Sequence, residues 1–200
     1  MNSKLKNLAV FSLLTALMII FSFTPLGYIR ISVVEITLMS IPVIIGIFFG
    51  GVKGGLFLSA VFAATSFIQC FGMSAFGTAL FSENPFLTFV VCVVPRLLMG
   101  LFAALIFKAV QKLKVPKIAS YTVLSVITPI LNTVFFVTLL MLFFKDGKYI
   151  MDLREALGTE TVFAFVLACF GLNAAAEAAV CTVVGTAILK ALERVKAKIG

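Results

Sequence analysis

Phe86-Leu87-Thr88-Phe89-Val90-Val91-Cys92-Val93-Val94-Pro95-Arg96-Leu97-Leu98-Met99-Gly100-Leu101-Phe102-Ala103-Ala104-Leu105-Ile106-Phe107 decides how this chain folds. Apart from Thr88 and Pro95-Arg96 it is apolar throughout, and it reaches the ~20 residues that a helix needs to cross a bilayer. The rest of the chain is similar: 62% of residues are hydrophobic and 12% charged, and mean hydropathy is strongly positive. One soluble core of this size cannot hide so much apolar surface. The composition therefore specifies an all-α integral membrane protein, a single membrane domain over residues 1–200 with no separate soluble part.

On the N-terminal side of that span, Lys4 and Lys6 precede an apolar segment from Leu8 to Phe23. It resembles a signal peptide, but no small-x-small cleavage site follows, so it reads as a retained first helix. It stops at Thr24-Pro25-Leu26-Gly27, and Tyr28 to Glu35 then alternates in the manner of a strand, giving a loop or hairpin at the membrane face that can act as a lid. Ile36 to Phe49 and Leu56 to Phe71, joined by the glycine-rich Gly50 to Gly55, read as a tight helical hairpin. Gly72 to Pro85 is a polar connection into the Phe86 span. Beyond it, Ile118 to Phe144 forms a fifth span with a break near Pro129, and Thr161 to Leu189 a sixth.

Six crossings put both termini on one side. Lys4, Lys6, Lys53, the four lysines from Lys108 to Lys117, and Lys190, Arg194, Lys196 and Lys198 all fall on that side. The opposite side receives Arg30, Lys145, Lys148 and Arg154, outnumbered there by acids. By the positive-inside rule the expectation is six transmembrane helices with cytoplasmic N- and C-termini in the plasma membrane. The net charge of +8 is then topological, and no aromatic-interleaved basic face points to nucleic acid. Cys70, Cys92, Cys169 and Cys181 sit in or beside apolar stretches without CxxC spacing, and there is no histidine. They read as buried thiols, not as a metal site.

Two ionisable residues lie deep in apolar sequence, Arg96 and Glu177. A lone charge at the bilayer centre costs at least about 2.5–3.5 kcal/mol, so each must face a partner or a cavity. Either the two pair only with each other, or at least one lines a polar solute pocket. Asn173 lies one helical turn before Glu177 and shares its face. Asn132 and Thr133 add an amide and a hydroxyl at comparable depth, where hydrogen bonding between helices is the alternative role. An arginine fork suits a carboxylate, and the amides suit neutral donors and acceptors. The 22 phenylalanines read as helix packing and lipid-facing surface. Ser12 with Ala16, and Ala60 with Ala64, are small residues at spacing four that permit close helix contacts. Gly50 to Gly55 lacks the Ser or Thr after Lys53 that a phosphate loop requires, so it is a turn.

Thr24-Pro25-Leu26-Gly27-Tyr28-Ile29, Ile41-Pro42-Val43-Ile44-Ile45-Gly46, Asn84-Pro85-Phe86, Val94-Pro95-Arg96-Leu97-Leu98-Met99-Gly100, Asn132-Thr133, and Asn173 with Glu177 together carry a family likeness. In order and spacing, nearly end to end, the chain resembles the substrate-binding S components of energy-coupling factor (ECF) vitamin transporters, closest to the pantothenate-type branch. The resemblance implies six helices and a solute pocket for a small water-soluble vitamin, with no catalytic activity. It implies substrate contact by Arg96, Asn132, Glu177, Asn173 and Asn84, with Gly27, Tyr28 and Arg30 in a lid loop. The first-helix face bearing Ser12 and Ala16 would meet a transmembrane coupling subunit. Two cytoplasmic ATPase subunits would use the ATP, since this chain has no nucleotide loop and needs no cofactor of its own. Nickel and cobalt members of that family use an N-terminal histidine, which is absent here.

Two other classes compete. An intramembrane enzyme lacks its equipment: no histidine, and no aspartate pair within a span. A self-contained secondary transporter, coupling solute to ions through Arg96 and Glu177, is compatible with composition. Within the resemblance, folate and riboflavin remain alternatives to pantothenate.

Overall fold

The computed structural model describes residues 3–24, 28–30, 35–113 and 115–199, with side chains at 3, 4, 6, 28–30, 35, 36 and 194–199 lying outside the description. Its elements run α1 (Ser3–Phe23), β1 (Tyr28–Arg30), β2 (Glu35–Thr37), α2 (Ser40–Gln69), α3 (Ala75–Glu83), α4 (Pro85–Lys112), α5 (Lys117–Phe144), α6 (Lys148–Ala156), α7 (Val162–Val166), a π-helical turn (Leu167–Gly171) and α8 (Leu172–Ile199). The strand-like alternation after α1 becomes a short antiparallel hairpin pairing Tyr28 with Thr37 and Arg30 with Glu35.

Among the described residues, four helical stretches are long and apolar enough to cross a membrane: Ser40–Gln69, Pro85–Lys112, Lys117–Phe144 and Val162–Glu193. Asn7–Phe23 is a shorter apolar helix. The difference from six arises partly in α2, where the two segments expected as a hairpin run on as one helical stretch. That stretch is not straight. Gly51 has φ 57° and ψ −137°, a conformation open to glycine at little cost. In a straight helix residues 46 and 54 would stand about 12 Å apart. Here a Cβ added to Gly54 would meet the carbonyl of Gly46, and one added to Gly46 would meet Leu58. The arms 40–50 and 52–69 therefore fold back on each other with backbones touching.

The same close approach joins α2 to α4. A Cβ on Gly100 would meet the Ser59 hydroxyl and lie 2.9 Å from the Gly55 carbonyl. Around these contacts Ile44, Ile47, Leu58, Met99 and Leu124 are fully buried in one apolar cluster. A second cluster gathers Leu80, Leu140, Ile150, Phe165 and Phe170. Ser12 and Ala16, by contrast, are exposed on α1, and Ala60 and Ala64 are exposed on α2. Close packing inside the chain thus falls to glycines rather than to those spaced small residues.

The polar connections contain two helices that composition did not announce. The Ser74 hydroxyl accepts from the Gly77 N–H at 3.3 Å and caps α3. The Glu83 carboxylate at the other end of α3 accepts from the Tyr149 backbone N–H in the first turn of α6, a favourable place for an anion. Pro129 does not break α5, which runs through it without interruption. The interruption lies instead in the last span, where the π-helical turn separates α7 from α8.

Candidate functional site

Between the two apolar clusters lies a cavity of about 310 Å³. Phe62 of the first cluster lines it, as do Leu80, Val91 and Phe170, which belong to the second. Its polar wall brings together Arg96 from α4, Asn132 and Thr133 from α5, and Asn173 and Glu177 from α8. All five positions were singled out in the sequence, and residues far apart in the chain converge because α4, α5 and α8 pack in order around one space.

Arg96 is placed by the proline before it. Pro95 has no N–H, so within α4 it cannot bond the carbonyl of Val91, one turn back. The Arg96 side chain fills that gap: Nη1 donates to the Val91 carbonyl at 2.8 Å. The guanidinium lies 4.7 Å from the Phe136 ring centroid and 5.4 Å from that of Phe62, geometry in which aromatic faces attract a cation. Nε is buried and has no hydrogen-bond partner. Nη1 thus serves the helix, while Nε makes no hydrogen bond.

Glu177 is held differently. Its Oε1 accepts from the Ser40 hydroxyl at 2.8 Å, and its carboxylate also accepts from the backbone of Thr37. Both donors lie where β2 leads into α2, so the carboxylate sits at a helix N-terminus and ties the hairpin to α8. Among the described residues no ion pair joins Arg96 to Glu177, although they share the cavity wall. The reading in which they only neutralise each other does not describe this geometry.

Asn132 is buried, and its Oδ1 lacks a partner. Asn173 is buried one turn before Glu177 on the same wall. Asn84 stands apart: it is exposed, does not line the cavity, and its side chain accepts from the Leu87 N–H at 3.0 Å as the N-cap of α4. Gly27 lies outside the described residues, as do the side chains of Tyr28 and Arg30. Thr37, which pairs with Tyr28, does line the cavity.

Several lining groups escaped the sequence reading. Gln69 is buried and donates to the Ser22 carbonyl, joining the end of α2 to α1. Ser74, Ala75 and Gly77 bring the start of α3 against the cavity. Phe62, Phe76, Phe136 and Phe170 supply its apolar faces, so part of the phenylalanine content serves the site rather than packing alone. The π-helical turn comes immediately before Asn173 and Glu177; such turns shift the register of a helix and recur at functional sites. The result is a small chamber with one cation, one tethered carboxylate, amides and aromatic faces, a lining that suits a small polar solute.

No curated protein matches the chain. The family model described as "ECF transporter, substrate-specific component" matches residues 6–189. Agreement over that span, with a helical membrane architecture enclosing a polar cavity, leads to one conclusion: the chain belongs to the family of ECF transporter substrate-specific components, membrane subunits that bind a small solute and work with the other components of the transporter.

Proposed function

We propose that this chain captures a small water-soluble vitamin or precursor that carries a carboxylate, with pantothenate as the substrate, in the cavity around Arg96. The observation that carries the reading is the buried Nε edge of Arg96, unpartnered and on the wall of the same cavity as Asn132. A carboxylate suits that free edge, because guanidinium recognises planar anions through adjacent donors. A hydroxyl or amide N–H of the ligand suits the Asn132 Oδ1. Pantothenate presents a carboxylate, an amide, two hydroxyls and a compact branched apolar segment, which match the fork, the amides and the phenylalanine faces. The volume of about 310 Å³ lies at the small end of the ~300–1,000 Å³ usual for ligand sites, which favours pantothenate over bulkier riboflavin or folate. Asn173 and Glu177 complete the polar wall, while Asn84 contributes through the start of α4.

In this reading the chain is one membrane domain with six crossings. The fold-back at Gly51 makes two of the arms, α1 supplies the first, and α4, α5 and the α7–α8 run supply the rest. Lysine bias supports cytoplasmic termini, and the membrane is the plasma membrane. The exposed α1 face with Ser12 and Ala16 meets the coupling subunit, and two ATPases supply the energy. The loop from Gly27 to Arg30, continued by the hairpin that ends beside Glu177, closes over the ligand.

Reconstitution tests this division of labour. In proteoliposomes the chain alone should bind labelled pantothenate without concentrating it, and accumulation should require the coupling subunit, both ATPases and ATP. Concentrative uptake by the chain alone would support the self-contained transporter instead.

A further inference from the structure

Cys70 and Cys92 stand out from the other thiols because they face each other. Cys70 closes α2, Cys92 lies one helical turn before Arg96 on α4, and their sulfurs are 3.6 Å apart. Both cysteines are buried and unbridged, and both line the cavity. Solutes that enter the cavity therefore meet a dithiol, whereas Cys169 and Cys181, also buried, are absent from its lining. A disulfide needs the sulfurs at ~2.05 Å, a further approach of about 1.5 Å from the observed 3.6 Å.

The position of Cys70 gives the pair a mechanical consequence. Residues 70–74 form the turn that carries the chain from α2 into α3, with Gly72 at φ 102°. The start of α3 packs directly on the Cys70 side chain: a Cβ added to Gly77 would lie 2.8 Å from its sulfur. The same first turn of α3 lines the cavity. Whatever fixes the Cys70 sulfur therefore constrains the first turn of α3 beside the cavity.

We propose that Cys70 and Cys92 form a redox-reversible modification site in the cavity wall, where a small peroxide converts the dithiol to a cystine that restrains α3. In the first step one thiol sulfur attacks the peroxide, its O–O bond breaks, and the sulfur becomes a sulfenic acid as one water leaves. In the second, the neighbouring thiol sulfur attacks the sulfenic sulfur, the S–S bond forms and a second water departs. The two cysteines are together oxidised by two electrons and hydrogen peroxide is reduced to water; a dithiol reductant reverses the change.

The test needs no vitamin. In a Cys169→Ser, Cys181→Ser background, purified protein is treated with hydrogen peroxide, then mapped by peptide mass spectrometry and by backbone amide exchange. The expected result is a Cys70–Cys92 cystine, and amide exchange over residues 75–83 slowed at least fivefold, both reversed by dithiothreitol. Adding Cys92→Ser, or separately Cys92→Ala, should abolish both effects while the protein remains helical. Oxidation that leaves separate sulfinic acids, or a cystine that leaves exchange in α3 unchanged, would overturn the proposal.

Discussion

Helix α4 passes through two environments that differ at every level. At Gly100 it presses its backbone against Gly55 and Ser59 of α2, and Met99, Ala103 and Ala104 beside it are buried. One and two turns earlier, at Arg96 and Cys92, the same helix borders a cavity lined by cation, thiol, amide and aromatic ring. The glycines let three helical arms approach until backbones touch, and a wall built that way has little freedom to yield. At the other end, bulky side chains such as Phe62 of α2 and Phe136 of α5 line a chamber beside α4. Rigidity and room thus meet along one helix, α4, according to the size of the side chains its neighbours present.

The contrast makes opposite demands on substitutions at the two ends. The largest effect falls on binding: Arg96→Ala should weaken pantothenate binding by about 2–5 kcal/mol, the range for truncating a buried charged partner, with helicity retained in circular dichroism. Binding that survives would remove Arg96 from the site. At the closed end, Gly54→Val drives a side chain into the Gly46 carbonyl and should cost stability near the upper end of the ~1–3 kcal/mol typical of overpacking. An unchanged thermal midpoint in detergent would mean that the arms are not in backbone contact.

Smaller effects separate structural polar groups from binding ones. Ser40→Ala removes a donor from Glu177 and should destabilise by about 1.5 kcal/mol, the lower end for bonds to charged groups, because the Thr37 backbone contact remains. Guanidinium or thermal unfolding measures it; no change would detach Glu177 from the helix start. Asn132→Leu should behave in the opposite sense. It removes a buried acceptor that has no partner, so the thermal midpoint should hold or rise, while pantothenate binding should lose about 0.5–1.5 kcal/mol. A fall in the midpoint with binding intact would make Asn132 a structural residue.

What the sequence disclosed follows from how loudly each residue speaks in lipid. Arg96 and Glu177 were legible because charge in an apolar run requires an explanation, Asn173 because it lies one turn before Glu177, and Asn132 because it is an amide at comparable depth in another span. The Gly51 reversal was legible as a glycine-rich turn, although the contact between Gly46 and Gly54 was not. Ser40 gave no such signal, since hydroxyls within helices commonly bond their own backbone, as Thr128 does to Leu124, and Thr37 and Gln69 are single uncharged polar residues at the ends of apolar segments. Which phenylalanines face the cavity depends on packing between distant segments and has no local mark. Asn84-Pro85 was a readable cap followed by a first-turn proline, and its family resemblance drew attention to ligand contact instead. The short α3 and α6 were hidden in segments whose polarity read as loop, and the packing of the start of α3 against the cavity is a tertiary property.

The most direct test of the central claim is a calorimetric titration of the folded protein in mild detergent with pantothenate, beside riboflavin and folate. One saturable site for pantothenate alone is the predicted result. Absence of pantothenate binding by verified folded protein, or tighter binding of riboflavin or folate, would contradict it.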